Sequence, residues 1–373
     1  MKKTKNKKRY TGKRSFLIWL IFLITSVLLY FITDSDFPGF LIVLLLIYLA
    51  AGVLMTAVTG KKISVKFGGD GSGGKNQTGH LILTIKNDSV LPVFLCRAEI
   101  LTENVLTGTD QVTDLKFSVM PKGKKIISFH CGDGYCGCLH IDIQRMAVSD
   151  PLMLFEKKRS ITGSWEYYVQ PSMGGMDLSK EELSQYDMES YRYSSDKKGD
   201  DPSETFDVRS YLPGDSIKSI HWKLSGKMDD IVIREPGLPV ENSLMILLDK
   251  RKIDVSDPDP EQIDKTTELF LNLSFAAVSQ GIGHTVGWFN YAKDCFESRK
   301  ISTTEDVFRM LPGLLKSPCQ VDEITLADRF MAADLEKNYA SYLYVTAGGT
   351  DAESEVERLS YYGKVTVYRP QNI

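Results

Sequence analysis

The chain has 373 residues, too many for one typical domain and enough for two modest folded units plus a membrane anchor. A hydrophobic share of 43%, a charged share of 25% and a net charge of −3 exclude a disordered chain and give no reason to expect nucleic acid as a partner. The six cysteines are few and unevenly spread, which excludes a secreted disulfide framework.

The first fifteen residues, MKKTKNKKRYTGKRS, carry eight Lys or Arg and no acid. Directly before an apolar stretch, such a basic tail sets membrane orientation. Residues 16–32 and 40–58 contain no charged side chain. A bilayer core of about 30 Å needs about 20 helical residues, so each stretch is long enough to cross. Only the acidic turn TDSDFPG separates them, which predicts a transmembrane helical hairpin over residues 16–58, in contact with lipid. Lys and Arg flank its outer ends and acids its turn, so the N- and C-termini are both expected in the cytoplasm, at the cell membrane. A cleaved signal peptide does not fit, because the second span follows at once. With no ionisable residue inside either span, the hairpin reads as an anchor and not a transport path.

Residues 67–79, FGGDGSGGKNQTG, read as a flexible turn or short linker. From residue 80 short alternating strands follow: LILTIKN, VFLCRAEIL, KFSVM, KIISFHC and LHIDIQRMAV. Regular turn signals separate them, which predicts an antiparallel β-sandwich-like domain over residues 62–170. The cluster HCGDGYCGC brings His130, Cys131, Cys136 and Cys138 together, but its spacing departs from a zinc knuckle, so a hairpin turn with buried thiols is expected. Residues 171–206 are polar and read as an exposed linker.

From residue 240 to 373 the pattern becomes α/β. SLMILLD is a fully apolar strand ending in an acid. A helix over 261–280 follows, with Ile263, Thr267, Phe270, Leu273 and Ala277 on one face and Gly281 as its stop. Strands at HTVGWFN, CFESRKI, SYLYVTA and KVTVYRP alternate with further helices, which predicts a doubly wound, largely parallel sheet. No phosphate loop, nucleophile elbow or metalloprotease motif is present in the sequence, and no cofactor is expected.

Residues 207–237 hold the densest chemistry: DVRSYLPGDSIKSIHWKLSGKMDDIVIREPG. Pro213 and Gly214 suit the centre of a type II turn, which Asp215 can cap. Folded as a hairpin, the segment brings Arg209, His221, Lys223, Arg234 and Glu235 close together. A polar network is expected there, with Trp222 packed beneath it as an apolar floor. A catalytic pair of Asp215 and His221 is the alternative, weakened by the lack of a nucleophile.

RSYLPGD, IHWKLSGK and VIREPG resemble the signature of the bacterial family catalogued as domain of unknown function 58. The matching residues are Arg209, Tyr211, Gly214, Asp215, Ile220, His221, Trp222 and Lys223, with Arg234 and Glu235 as the following Arg-Glu pair. Upstream, Gly134, Tyr135, Ser149, Asp150, Pro151, Leu154 and Phe155 match the family's looser elements, while Gly132 and Asp133 stand in place of its Arg-Gly and Met153 in place of its Gly. The resemblance implies a membrane-anchored α+β protein: two membrane helices, a β-domain and a C-terminal von Willebrand factor A-like domain. An A-type domain binds a divalent cation through Asp-x-Ser-x-Ser after its first strand. Here Asp249 is kept but Arg251 and Ile253 occupy the hydroxyl positions, so no metal is expected at this degenerate site. The resemblance implies a non-enzymatic scaffold that recruits a protein, with a MoxR-type AAA+ ATPase as the implied partner. The alternatives are a hydrolase centred on Asp215 and His221, or an accessory subunit of envelope synthesis or export.

Overall fold

The computed structural model describes residues 11–75, 77, 79–159, 161, 163–173, 192–228, 230–240, 244–252, 259–335, 339–347 and 356–370. Two compact units emerge. The first comprises Met1–Asn104, Thr109–Gly134 and Cys138–Gln170; the second comprises Val105–Gly108, Tyr135–Gly137 and Pro171–Ile373.

The first unit opens with helices α1 (Thr11–Ile32) and α2 (Phe37–Thr59), which pack against each other. Pro38 in the first turn of α2 supplies a preset φ where no backbone donor is needed. Both helices are long and apolar enough to cross a membrane. They turn most of their large apolar side chains outward, from Leu17 and Phe22 to Leu44 and Leu54. Apolar on nearly every side, they need an apolar solvent or a partner.

Among the described residues, nine strands complete this unit. One sheet pairs β1 (Ile63–Gly69), β3 (Gly79–Asn87) and β6 (Lys124–Cys131) in antiparallel fashion. The other runs β2 (Ser72–Gly74), β9 (Ser164–Gln170), β7 (Gly137–Ser149), β4 (Val93–Asn104) and β5 (Asp110–Val119), with β8 (Glu156–Arg159) also on β7. Alternate residues point to opposite faces of a strand, so Leu81, Leu83 and Ile85 of β3 all face inward. They join Ile100 of β4 and Leu139, Ile141 and Val148 of β7 in one core fed by both sheets. The five strands expected from the alternation are all present. Residues 67–79, expected to be a linker, instead contribute the end of β1 and the whole of β2. The run of glycines hides these strands, although Gly69 is needed: φ is +134°, and a Cβ there would clash with the His80 carbonyl oxygen. Cys131, Cys136 and Cys138 are buried thiols, as the hairpin reading expects.

The second unit begins with a long ribbon of β10 (Arg192–Ser210) and β11 (Val232–Val240). The expected linker over 171–206 is therefore corrected for 192–206, which is strand; residues 174–191 lie outside the described residues. Composition favoured a loop there, but the partner strand supplies the hydrogen bonds that hold it extended. Repeated register shifts between Tyr193 and Asp207 mark the misfit of its Gly- and Asp-rich stretch. A short helix α3 (Trp222–Met228) lies between the two strands.

A five-stranded sheet follows in the order β15 (Cys295–Ile301), β14 (His284–Asn290), β12 (Leu244–Asp249), β17 (Ser341–Thr346) and β18 (Lys364–Tyr368). All neighbours are parallel except the edge strand β15, and the short strands β13 (Arg251–Lys252) and β16 (Gln320–Val321) form a separate parallel pair. Every residue of β12 and β17 is buried, as befits central strands covered on both faces. Helices α4 (Pro260–Ser279) and α5 (Thr304–Leu315) pack together, and α4 lies on β12. Asp259 and Gln262 close a capping box at the start of α4, and Gly281 at φ +79° ends it. Met245, Leu247, Tyr342 and Tyr344 form another cluster with Phe330 of α6 (Leu326–Ala332) and Leu359 of α7 (Glu357–Ser360).

Candidate functional site

The 207–237 segment is built around Arg209, near the end of β10. Its Nη1 and Nη2 donate to both carboxylate oxygens of Asp215 at 2.8 Å, and its Nε donates to Glu235 at 2.9 Å. Such bidentate pairing fixes orientation as well as charge. The Asp215 carboxylate first, and Glu235 second, hold the Arg209 guanidinium above its ordinary pKa. Asp215 also accepts the Leu212 amide at 2.8 Å and returns its own amide to the Leu212 carbonyl at 3.0 Å. With Gly214 at φ +111°, this is the Pro-Gly turn expected from the sequence.

On the far side of the turn the chain re-enters the ribbon. Ile220 bridges to Ile233, the His221 amide donates to the Val232 carbonyl at 2.8 Å, and Tyr211 donates to the Ile231 carbonyl at 2.7 Å. Ser225, which the sequence did not single out, ties α3 to β11: its hydroxyl accepts the Val232 amide at 3.0 Å and donates to the His221 carbonyl at 3.1 Å. The side chain of His221 faces Arg234, with Nη2 and Nε2 3.1 Å apart. Its Nδ1 lies 3.3 Å from the Leu224 amide, and a neutral imidazole, which keeps one ring N–H, accepts from only one of these two donors. Asp215 and His221 are thus committed to different partners, Arg209 and Arg234.

Trp222 overturns one expectation. It does not floor the network but stands 68% exposed at the start of α3. Leu212, Ile217, Met228 and Ile231 are exposed as well, as is Lys223. Val232 and Ile233 of β11 are the buried apolar residues of this segment. None of the seven residues of α3 is buried, so the helix offers the indole no inward face. The polar network holds a turn and a short helix that present apolar side chains to solvent.

The second candidate position is the end of β12, where the sheet order reverses between β14 and β17. In open α/β sheets this switch point is the usual ligand crevice. Asp249 is buried there; its carboxylate accepts the Arg251 amide at 2.9 Å and the Tyr344 hydroxyl at 2.9 Å, with the Arg251 Nε at 3.8 Å. Ile253 lies outside the described residues. Among the described residues no group of three or more His, Cys, Asp or Glu is placed to hold a metal.

Lys250, beside Asp249, was not foreseen as an interior residue. It is buried, and its Nζ donates to the Ser317 carbonyl at 3.0 Å. Burial pushes its ammonium down to about 8 from an ordinary 10.5. Between those values the unfolded chain holds a proton that the folded chain has released, so stability rises with pH. Burial pushes the nearby Cys319 thiol up from 9.0 to about 11, which lowers stability as pH rises between those values. The two effects oppose above pH 9. The expected result is a gain of about 1 kcal/mol from pH 8 to 9, because the folded-state ammonium is already partly deprotonated at pH 8. Urea unfolding at both pH values should show this gain in the wild type and its loss in Lys250→Met.

No protein-family model matches the sequence, and no curated protein matches it. Among solved structures, the CARDB domain of a Pyrococcus furiosus protein matches at 17% identity over 29% of this chain and 87% of that one, with a TM-score of 0.23. A β-glucosidase from Listeria innocua matches at 13% identity over 29% of this chain and 16% of that one, with a TM-score of 0.21. Likeness at this level carries no argument about fold or activity.

Proposed function

We propose that the protein is a membrane-anchored cytoplasmic scaffold of the domain of unknown function 58 type, whose signature segment is a docking surface for a protein partner. The observation that supports this reading most is the division of labour within residues 209–235. Arg209, Asp215 and Glu235 spend their charges on one another, while Trp222 and its apolar neighbours face solvent. Trp is the side chain most often found at the energetic centre of protein interfaces. A catalytic site would show the reverse, with charged groups converging on an open space and apolar groups behind them. The partner implied by the family resemblance is a MoxR-type AAA+ ATPase.

In this reading α1 and α2 cross the cell membrane as a hairpin with both termini inside, the first unit is sandwich-like, and the second is a von Willebrand factor A-like domain without its cation. Reporter fusions at residue 35 and after residue 373 are expected to be active outside and inside the cell, respectively. A C-terminal fusion active only outside would overturn the topology. The partner is tested by purifying the full-length protein in detergent with the MoxR-type ATPase from the same genome: a stable complex is expected, and two separate elution peaks would remove the ATPase from the proposal.

A further inference from the structure

The turn over residues 150–155, between β7 and β8, is packed along α2 in a graded order. Lys157 donates its Nζ to the Ala57 carbonyl near the end of the helix, at 3.4 Å. Phe155 lies against Gly52, seven residues before Thr59, where an added Cβ would come within 3.3 Å of its ring. Asp150 accepts the Tyr48 hydroxyl at 2.8 Å. Tyr48 stands eleven residues before Thr59, about 16 Å along the axis at about 1.5 Å per residue. Where α2 spans a bilayer of about 30 Å, the tip of this turn lies near mid-depth.

The chemistry of the turn suits that depth. PLMLF, at 151–155, is wholly apolar, and EKKR at 156–159 follows at the level of the helix end. Leu152 is 51% exposed, and Pro151 beside it is exposed as well. Non-helical backbone is tolerated in hydrocarbon only where its polar groups are satisfied by protein. Here the Phe155 amide donates to Asp150 Oδ1 at 2.7 Å and the Leu152 amide to Asp150 Oδ2 at 3.1 Å. Met153 donates to the Asp150 carbonyl, Asp150 to the Phe155 carbonyl, and Pro151 has no amide hydrogen. Asp150 itself is 1% exposed, its charge enclosed by these donors and Tyr48. Met153 holds φ at +55°, a strained value that Gly would relieve, and places a long apolar side chain at the tip.

We propose that the 150–155 turn is a second lipid-contacting element, seated against α2 inside the apolar layer with Pro151, Leu152 and Met153 meeting acyl chains. This rests on the reading that α2 spans the membrane. The first unit is then held to the bilayer by a rigid insertion as well as by its helices.

The test uses full-length protein with Cys295 and Cys319 replaced by Ser, reconstituted in vesicles of phosphatidylcholine and phosphatidylglycerol. An environment-sensitive fluorophore is attached to Leu152→Cys, to Leu44→Cys on the exposed face of α2, or to Val112→Cys, an exposed residue of β5 paired with Leu101, toward the end of β4 remote from the Leu95–Ser149 pair that precedes the turn. The expected result is quenching of the 152 probe by nitroxide-labelled lipids to the level of the 44 probe, with little quenching by aqueous iodide. Iodide quenching at 152 equal to that at 112, with 44 still quenched by lipid, overturns the insertion while leaving the span intact. Iodide quenching at both 152 and 44 overturns the span and the insertion together.

Discussion

Asp249→Ala is expected to destabilise the second unit by about 3–5 kcal/mol, the usual cost of removing one partner from a buried charged cluster. The carboxylate is 3% exposed and faces the Arg251 guanidinium, itself 10% exposed, across 3.8 Å. Its loss leaves the Tyr344 hydroxyl without this acceptor and Arg251 without this countercharge, beside the buried Lys250 ammonium. Asp249→Asn keeps an oxygen for Tyr344 and should cost less, which separates the hydrogen bond from the charge. A cation-binding carboxylate would behave differently. Without its ion such a group is a liability, so Asp249→Ala would leave the metal-free protein as stable or more stable, and Mg²⁺ would raise the melting temperature of the wild type alone. Melting curves of the three proteins with and without Mg²⁺ decide between these outcomes.

Trp222→Ala is expected to cost about 2 kcal/mol or more of partner affinity, roughly a thirtyfold loss, because a truncated interface Trp is among the largest single-residue effects known. Stability should move by less than about 0.5 kcal/mol, since the side chain is mostly solvated. Leu212→Ala and Ile217→Ala should give smaller losses of the same kind, being exposed on the same turn segment. A Trp222→Ala protein that binds as well as the wild type would move the docking surface elsewhere. One that unfolds would contradict its exposure.

Periodicity carried the fold far. The alternation in LILTIKN and the Ile263–Phe270–Ala277 face of α4 were legible because burial imposes them locally. β10 was not legible, because its extended state comes from pairing with β11 and not from its own polar residues. Within the signature segment, the Pro-Gly turn and the charges that Arg209 gathers were readable from spacing. The outward position of Trp222 was not: an aromatic beside a charged cluster suggests a floor, and only the absence of any buried residue in α3 shows otherwise. Lys250 reads as a solvated lysine after a strand until the Ser317 carbonyl is seen against it. Tyr48 and Asp150 are 102 residues apart, a separation that no local pattern bridges.

The central claim is that the signature segment is a structural frame for an exposed docking surface and not a catalytic centre. It is tested most directly by measuring melting temperature and function in cells for Asp215→Asn and His221→Ala in the full-length protein. Asp215→Asn weakens a bidentate pair and the acceptor of the Leu212 amide. Arg209 is 35% exposed, so solvent screens the pair and the expected loss is smaller than for a fully buried one. A lowered melting temperature is expected for Asp215→Asn with function falling in step, and retained function for His221→Ala wherever the fold is kept. Melting curves of both variants that overlay the wild type, together with complete loss of function, would contradict the claim and favour the hydrolase.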